Sequence, residues 1–258
     1  MYKQFEDACN LIINRERERT SIGTLSEKTL HSVLKHTFEP DQRKQEIKIG
    51  TFYADIKNDK GIIEIQTRNF NALRKKLDFF LQDYTVTIVY PIAYEKWLIW
   101  LDPTTGEVTK KRKSPKKGSI HHAFSELYKI KFFLTHPNIR IHIVLLDIIE
   151  YRSLDGWSND KKKGASRYDQ LPEKIIDIIE LNSINDYEQF IPHELPMHFT
   201  TKDYKKVSGL NLSSSQIAIN VLKHIGVIIP VGKQGNTIIY KRATSLVQPL
   251  PHISSSIH

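Results

Sequence analysis

Apolar and polar positions alternate along the chain in two rhythms, and each change of rhythm marks an element. Residues 3–18 place Phe5, Ala8, Leu11 and Ile12 at helical spacing. A second helix is predicted from the capping residue Ser26 through Leu30, Val33 and Leu34, until Pro40 stops it. The period then shortens. Segments 46–49, 52–57 and 61–67 are β-prone and are separated by Gly50-Thr51 and Asn58-Asp59-Lys60-Gly61, hairpin separators that predict an antiparallel meander. Residues 69–81 return to helical spacing through Leu73, Leu77, Phe80 and Leu81, and 85–90 reads as a buried strand. The order is therefore helix, three strands, helix, strand.

Farther on, 97–101 and 107–111 flank Asp102-Pro103-Thr104-Thr105-Gly106, which predicts a second hairpin. Helices are expected over 120–133 and 173–181, a long apolar strand over 139–149, and a mobile loop over the Gly/Ser/Asn/Asp/Lys-rich residues 154–166. A two-proline linker at 191–196 leads to a small unit. Helices at 202–207 and 214–224 are joined there by Gly209-Leu210-Asn211, with Ser213 or Ser214 as the second cap. A hairpin of 227–231 and 237–241 follows. The predicted division is a domain over 1–195, a small domain over 196–245 and a flexible tail over 246–258.

The 258 residues are 40% hydrophobic and 26% charged, the composition of a folded protein rather than a disordered one. The single cysteine, Cys9, excludes a disulfide framework and a Cys-rich zinc site and is expected to be a small apolar filler. No apolar run approaches the ~18 residues of a membrane span. The acid-containing N-terminus does not read as a signal peptide, so the cytoplasm is the expected location and no membrane partner is expected. No Gly-rich nucleotide-binding motif occurs. His121, His122, His193, His198, His252 and His258 lack metal-ligand spacing, and Trp97, Trp100, Phe132 and Phe133 read as core. A formal charge of +9 favours a polyanionic partner only if the charge is concentrated.

The chemistry candidate is acidic. Asp55 falls near the end of the second predicted strand, and Glu64 and Gln66 fall two apart on the third, so they share a face while Ile63 and Ile65 take the other. Acids on a strand are commonly its solvated face. Here the flanking isoleucines argue for burial, where an unpaired carboxylate is costly. Two converging carboxylates repel unless a cation lies between them, and all-oxygen donors suit Mg²⁺ or Mn²⁺.

This arrangement resembles the PD-(D/E)XK nuclease superfamily over roughly residues 24–90, in the segment from Glu46 to Asp55 and in Gly61-Ile62-Ile63-Glu64-Ile65-Gln66. The resemblance implies an α/β fold with a restriction-endonuclease-like core and Mg²⁺- or Mn²⁺-dependent hydrolysis of phosphodiesters. By the same resemblance Asp55, Glu64 and the Ile65 carbonyl would hold the ion, Gln66 would position water, and Glu27 would orient or complete the metal shell. The usual lysine is replaced by Gln66, which carries no charge. Lys48, Arg68, Lys75 and Lys76 are the candidates for the missing cation. The substitution keeps a rival open, a non-enzymatic DNA-binding or regulatory protein on an inactive scaffold, with a protein-interaction adaptor as a third class.

DNA is the expected partner, and a homodimer is compatible with the sequence. The run KKRKSPKK supplies Lys110, Lys111, Arg112, Lys113, Lys116 and Lys117 without an acid, while Lys161, Lys162 and Lys163 stand close to Asp155 and Asp160. Residues 199–242 carry seven Lys/Arg and one Asp and resemble a winged helix-turn-helix. In it Ile217, Val221 and Leu222 would be buried. Ser214, Ser215, Gln216, Asn220 and Lys223 would face the groove, and Lys233, Gln234, Lys241 and Arg242 would grip the backbone.

Overall fold

The computed structural model describes residues 1–18, 29–102, 104–157 and 163–243, with the backbone alone at 14–18, 154–157 and 163–166. Two helices, α1 (Tyr2–Glu18) and α2 (Thr29–Phe38), precede the meander of β1 (Gln45–Ile49), β2 (Phe52–Asn58) and β3 (Gly61–Ile65). A 3-10 turn at Phe70–Leu73 leads into α3 (Arg74–Phe80), and β4 (Val86–Leu101) then enters the sheet parallel to β3. After β5 (Arg112–Lys113) and the short α4 (Phe124–Leu127) come β6 (Ile139–Trp157), parallel to β4, and β7 (Lys163–Leu181), antiparallel to β6. The resulting mixed sheet of seven strands runs β1-β2-β3-β4-β6-β7, with β5 paired to β4.

Strand alternation divides the core into two layers. Ile63 and Ile65 face α1 and α2, where they meet Phe5, Ala8, Leu30, Val33 and Leu34. Ile62, Val86 and Ile88 face the other way, into a larger core shared with α3 and α4. The β2–β3 turn needs a glycine. Gly61 has φ +114°, and a Cβ there would sit 2.3 Å from the Thr85 carbonyl oxygen, which accepts the Ile62 N–H at 2.9 Å.

Three expectations are corrected. Residues 173–181 form strand, not helix. Between Leu145↔Asp177 and Leu146↔Ile175 the ladder skips Ile176, and this bulge puts Ile175 and Ile178 against α1 and α2 while Ile176 and Ile179 face the larger core. An i,i+3 pattern thus arises from extended chain. The expected loop at 154–166 is strand at 154–157 and 163–166, and residues 158–162 lie outside the described residues. The expected hairpin about 102–106 is present, with Leu101↔Val108 and the antiparallel pairs Trp97↔Lys113 and Leu98↔Arg112, its first arm being the end of β4. Residues 120–133 are broken into 3-10 turns around α4, with a kink at Ile130 (φ −119°, ψ 19°). The kink keeps Ile130 fully buried while Phe132, expected in the core, is 66% exposed, tilted edge-on to His224 and lying 5.2 Å from Lys131 Nζ; Trp97 and Trp100 are half-buried.

The small unit consists of α5 (Thr201–Ser208), α6 (Leu212–His224), β8 (Ile228–Gln234) and β9 (Thr237–Arg242). Thr200 and Asp203 form a capping box on α5. Asn211, not Ser213 or Ser214, caps α6, accepting the Ser214 N–H at 2.8 Å. The unit is fastened to the sheet: the Tyr204 hydroxyl donates to the Phe190 carbonyl at 3.0 Å, Lys131 donates to Asn220 at 2.9 Å, and Phe199, Tyr204, Val221 and Leu222 belong to the larger core. Ile191 and Leu195 of the proline segment are buried as well. The tail from residue 244 lies outside the described residues. Because Phe190 packs against Phe124 and receives Tyr204, Phe190→Ala is expected to cost about 3–5 kcal/mol. Urea unfolding followed by fluorescence and by circular dichroism should show it as one shifted transition, since both units share that core.

Candidate active site

β2 and β3 pair at Asn58↔Gly61, Lys57↔Ile62 and Ile56↔Ile63, and there the ladder ends. β3 stays bound to β4 through Glu64↔Ile88 and Ile65↔Val89, so the two strands part and the Ile65 N–H loses its main-chain partner. The Asp55 carboxylate takes that place, with Oδ2 accepting the Ile65 N–H at 2.7 Å. On the α2 side His31 Nε2 lies 3.3 Å from the same oxygen.

Glu64, which shares the Ile62 face, is 2% exposed. Its Oε2 accepts from Lys76 Nζ on α3 at 2.8 Å, while its buried Oε1 has no hydrogen-bond partner among the described residues. Burial pushes the Glu64 carboxyl up to about 7, and the nearby Asp55 charge pushes the same way. Lys76 opposes both, and the Asp55 backbone N–H adds a smaller pull in the same sense as Lys76 without meeting hydrogen-bond geometry. The acids therefore converge, each beside a basic side chain drawn from a helix on a different face of the sheet.

Of the four candidate cations, Lys76 reaches the pair, while Lys48, Arg68 and Lys75 are exposed. Gln66, the residue expected to position water, is engaged through its amide group. Its amide nitrogen donates to the Arg68 carbonyl and, at 3.5 Å, to that of Asn69, so it braces the β3–α3 connection. Glu126 holds the far end of that connection through the Phe70 N–H at 2.7 Å. Glu27 and Ser26 lie outside the described residues. Among the described residues no three His, Cys, Asp or Glu side chains are grouped to hold a metal ion. Asp55 and Glu64 nevertheless form an all-oxygen pair of the kind a hard cation takes, and the unpartnered Glu64 Oε1 is the atom an ion would satisfy. His31 went unnoticed in the sequence because only the β2 register brings it to Asp55.

The basic run is partly engaged within the protein. Lys111 pairs with Glu173 at 2.7 Å and Lys113 with Glu95 at 2.7 Å, and Lys117 lies 4.2 Å over the Tyr94 ring. Lys110, Arg112 and Lys116 are exposed. Lys161 and Lys162 lie outside the described residues, and only the backbone is described at Lys163. In the small unit one assignment is overturned: Ser215 is fully buried, its hydroxyl donating back to the Asn211 carbonyl at 2.8 Å, so it faces the core and not a groove. Gln216, Asn220 and Lys223 line a cleft of about 390 Å³ between α6 and the hairpin, although Asn220 also anchors Lys131. Lys233 and Gln234 are exposed near the hairpin tip and Lys241 is half-buried, whereas Arg242 donates to the Pro192 carbonyl at 2.9 Å.

Sheet and site together define a mixed α/β protein in which a buried Glu64 and a half-buried Asp55 meet where two strands part. Residues 28–182, more than half of the chain, match a family described as "Domain of unknown function (DUF8091)", and the chain belongs to it. An uncharacterized protein of Treponema pallidum (strain Nichols) is 28% identical over 234 residues, covering 86% of this chain and 88% of that protein. No solved structure matches. No helix among the described residues is long and apolar enough to cross a membrane.

The raised Glu64 carboxyl makes stability depend on pH. The folded protein holds a proton that the unfolded chain, with an ordinary carboxyl, releases at lower pH. That contribution is complete below the ordinary carboxylate range and is lost as pH rises through about 7. In EDTA, unfolding free energies from urea titrations should fall between pH 5 and 8 by an amount on the order of 3 kcal/mol, and Glu64→Gln should flatten the decline. An unchanged slope in the variant would mean that Glu64 titrates normally.

Proposed function

We propose that the protein is a divalent-metal-dependent endonuclease that hydrolyses phosphodiester bonds in DNA on a restriction-endonuclease-like core. The observation that carries this reading is the convergence of Asp55 and Glu64 at the parting of β2 and β3, with a buried Glu64 oxygen left unpartnered. The element order of helix, antiparallel meander, helix and parallel strand supports it.

In this reading Asp55 and Glu64 hold Mg²⁺ or Mn²⁺, which neutralises charge on the phosphodiester and makes water nucleophilic at neutral pH. Lys76 favours the ionised form of Glu64 and provides the cationic group that Gln66 cannot. His31 holds Asp55 from the opposite side, and Gln66 fixes the loop between β3 and α3. α5, α6 and the β8–β9 hairpin, with the Phe199↔Tyr240 bridge at the hairpin's flank, resemble a winged helix-turn-helix and would hold the duplex. Exposed Lys110, Arg112, Lys116, Lys223 and Lys233 would add backbone contacts.

The test is supercoiled plasmid incubated with Mg²⁺ or Mn²⁺. Wild type should nick it, and Asp55→Ala, Glu64→Ala and Lys76→Met should each lower the rate by roughly 100-fold or more. Equal nicking by all four proteins overturns the assignment. A salt-dependent mobility shift without nicking would identify a DNA-binding protein on an inactive scaffold, the outcome that the uncharged Gln66 favours.

A further inference from the structure

Away from the acid pair, the densest charged cluster surrounds Glu150 on β6, which is fully buried. Its Oε1 accepts from Arg152 at 2.7 Å, and its Oε2 accepts from Lys96 at 3.0 Å and from Gln170 at 3.2 Å, with Arg167 Nε 3.3 Å away. Burial works against ionisation of Glu150, but Lys96, Arg167 and Arg152 outweigh it and hold the carboxyl below its ordinary range.

The cations are in excess. Arg152 and Arg167 are cross-strand partners, a like-charge arrangement that destabilises a sheet unless anions intervene. Glu150 is one such anion. The next acid along β7, Asp169, is engaged by the N–H of Thr29 at 3.2 Å and by its hydroxyl. Even with Asp169 counted, these three cations outnumber the acids among the described residues. Their surplus opens onto a cavity of about 180 Å³ lined by Lys96, Arg167, Gln170 and His122, with Leu30 and Thr67 on its wall. Leu30 precedes His31 and Thr67 follows Gln66, so the cavity adjoins the elements that carry the acid site. Lys96 has three donors and Arg167 five, more than Glu150 can accept, and Gln170 lines the same cavity.

We propose that this cavity is a phosphate-binding subsite, seating on Lys96, Arg167 and Gln170 a phosphate of the same strand that lies across Asp55 and Glu64. It rests on the nucleic-acid reading above. The phosphate is either an internal diester or a terminal monoester, which share the same acceptor chemistry.

Anisotropy with labelled duplex in EDTA, across a salt series, separates binding from cleavage. Arg167→Gln and Lys96→Gln should each weaken binding about tenfold and lower the salt slope by about 0.9, the share of one phosphate contact. Arg43→Gln, an exposed arginine paired with Asp41, should do neither. Loss confined to 5′-phosphorylated duplex assigns a terminal phosphate, and equal loss with 5′-hydroxyl duplex assigns an internal one. No loss with either overturns the subsite, even if the plasmid is nicked. Conversely, these losses in a protein that never nicks keep the subsite and reject the hydrolase. Should the variants unfold, inorganic phosphate titrated into the wild-type protein should shift the Gln170 amide and Arg167 Nε–H resonances at millimolar concentration, and unmoved resonances reject the proposal.

Discussion

The site depends on one hydrogen bond, from the Ile65 N–H to the Asp55 carboxylate, made where the β2–β3 ladder runs out. A backbone donor left unpaired in a buried position costs about 1–3 kcal/mol. The carboxylate removes that cost and in doing so fixes its own position against the Glu64 side of β3. Local folding and the placement of charge are thus the same event. α2 and α3 complete it from opposite faces of the sheet, one bringing His31 to Asp55 and the other Lys76 to Glu64.

Cation placement also separates structural charge from charge free to meet a ligand. The lysine run from Lys110 to Lys117 is the most basic stretch by inspection, yet Lys111 and Lys113 are paired with Glu173 and Glu95. Exposed pairs of this kind contribute little stability, but they reduce the field available to a polyanion. Around Glu150 the opposite holds: one buried carboxylate gathers Lys96, Arg152 and Arg167 and leaves a positive surplus in a walled cavity. A low-dielectric wall strengthens that surplus relative to the same charges in open solvent. Sequence counts of charge cannot distinguish the two, because the partners come from strands far apart in the chain.

Much of the fold's first part was legible because its signals are local. Asn58 to Gly61 is a turn by residue type, Leu73 and Leu77 mark a helix by spacing, and alternation around Glu64 placed it opposite Ile63 and Ile65. The failures share one cause, tertiary context overriding a short pattern. The bulge at Ile176 gives strand residues a helical spacing, and the strands beyond Ile149 continue into a stretch whose polar composition reads as loop. His31 and the Glu150 cluster carried no signal at all, since each exists only once the sheet has brought distant segments into register. Ser215 was misread for a smaller reason: the helix begins at Leu212 under an Asn211 cap, and its hydroxyl turns back to the capping residue's carbonyl.

The unpartnered Glu64 oxygen is the observation on which the proposed hydrolase reading rests. A fold that needed only to be stable would be served by an apolar residue at this position, beside Ile62 and Ile88, and Lys76 would then require no carboxylate. Keeping an acid there imposes a desolvation cost, visible in a carboxyl raised to about 7, and leaves one oxygen without a donor among the described residues. The cost falls at the parting of the strands, where Asp55 is half-buried and open to a second charge. A positive ion satisfying Glu64 Oε1 would remove the penalty and the mutual repulsion of the two acids together. Under the proposed metal-dependent reading, the stability of the metal-free protein and the affinity of the site for a hard cation would be two readings of the same desolvated carboxylate.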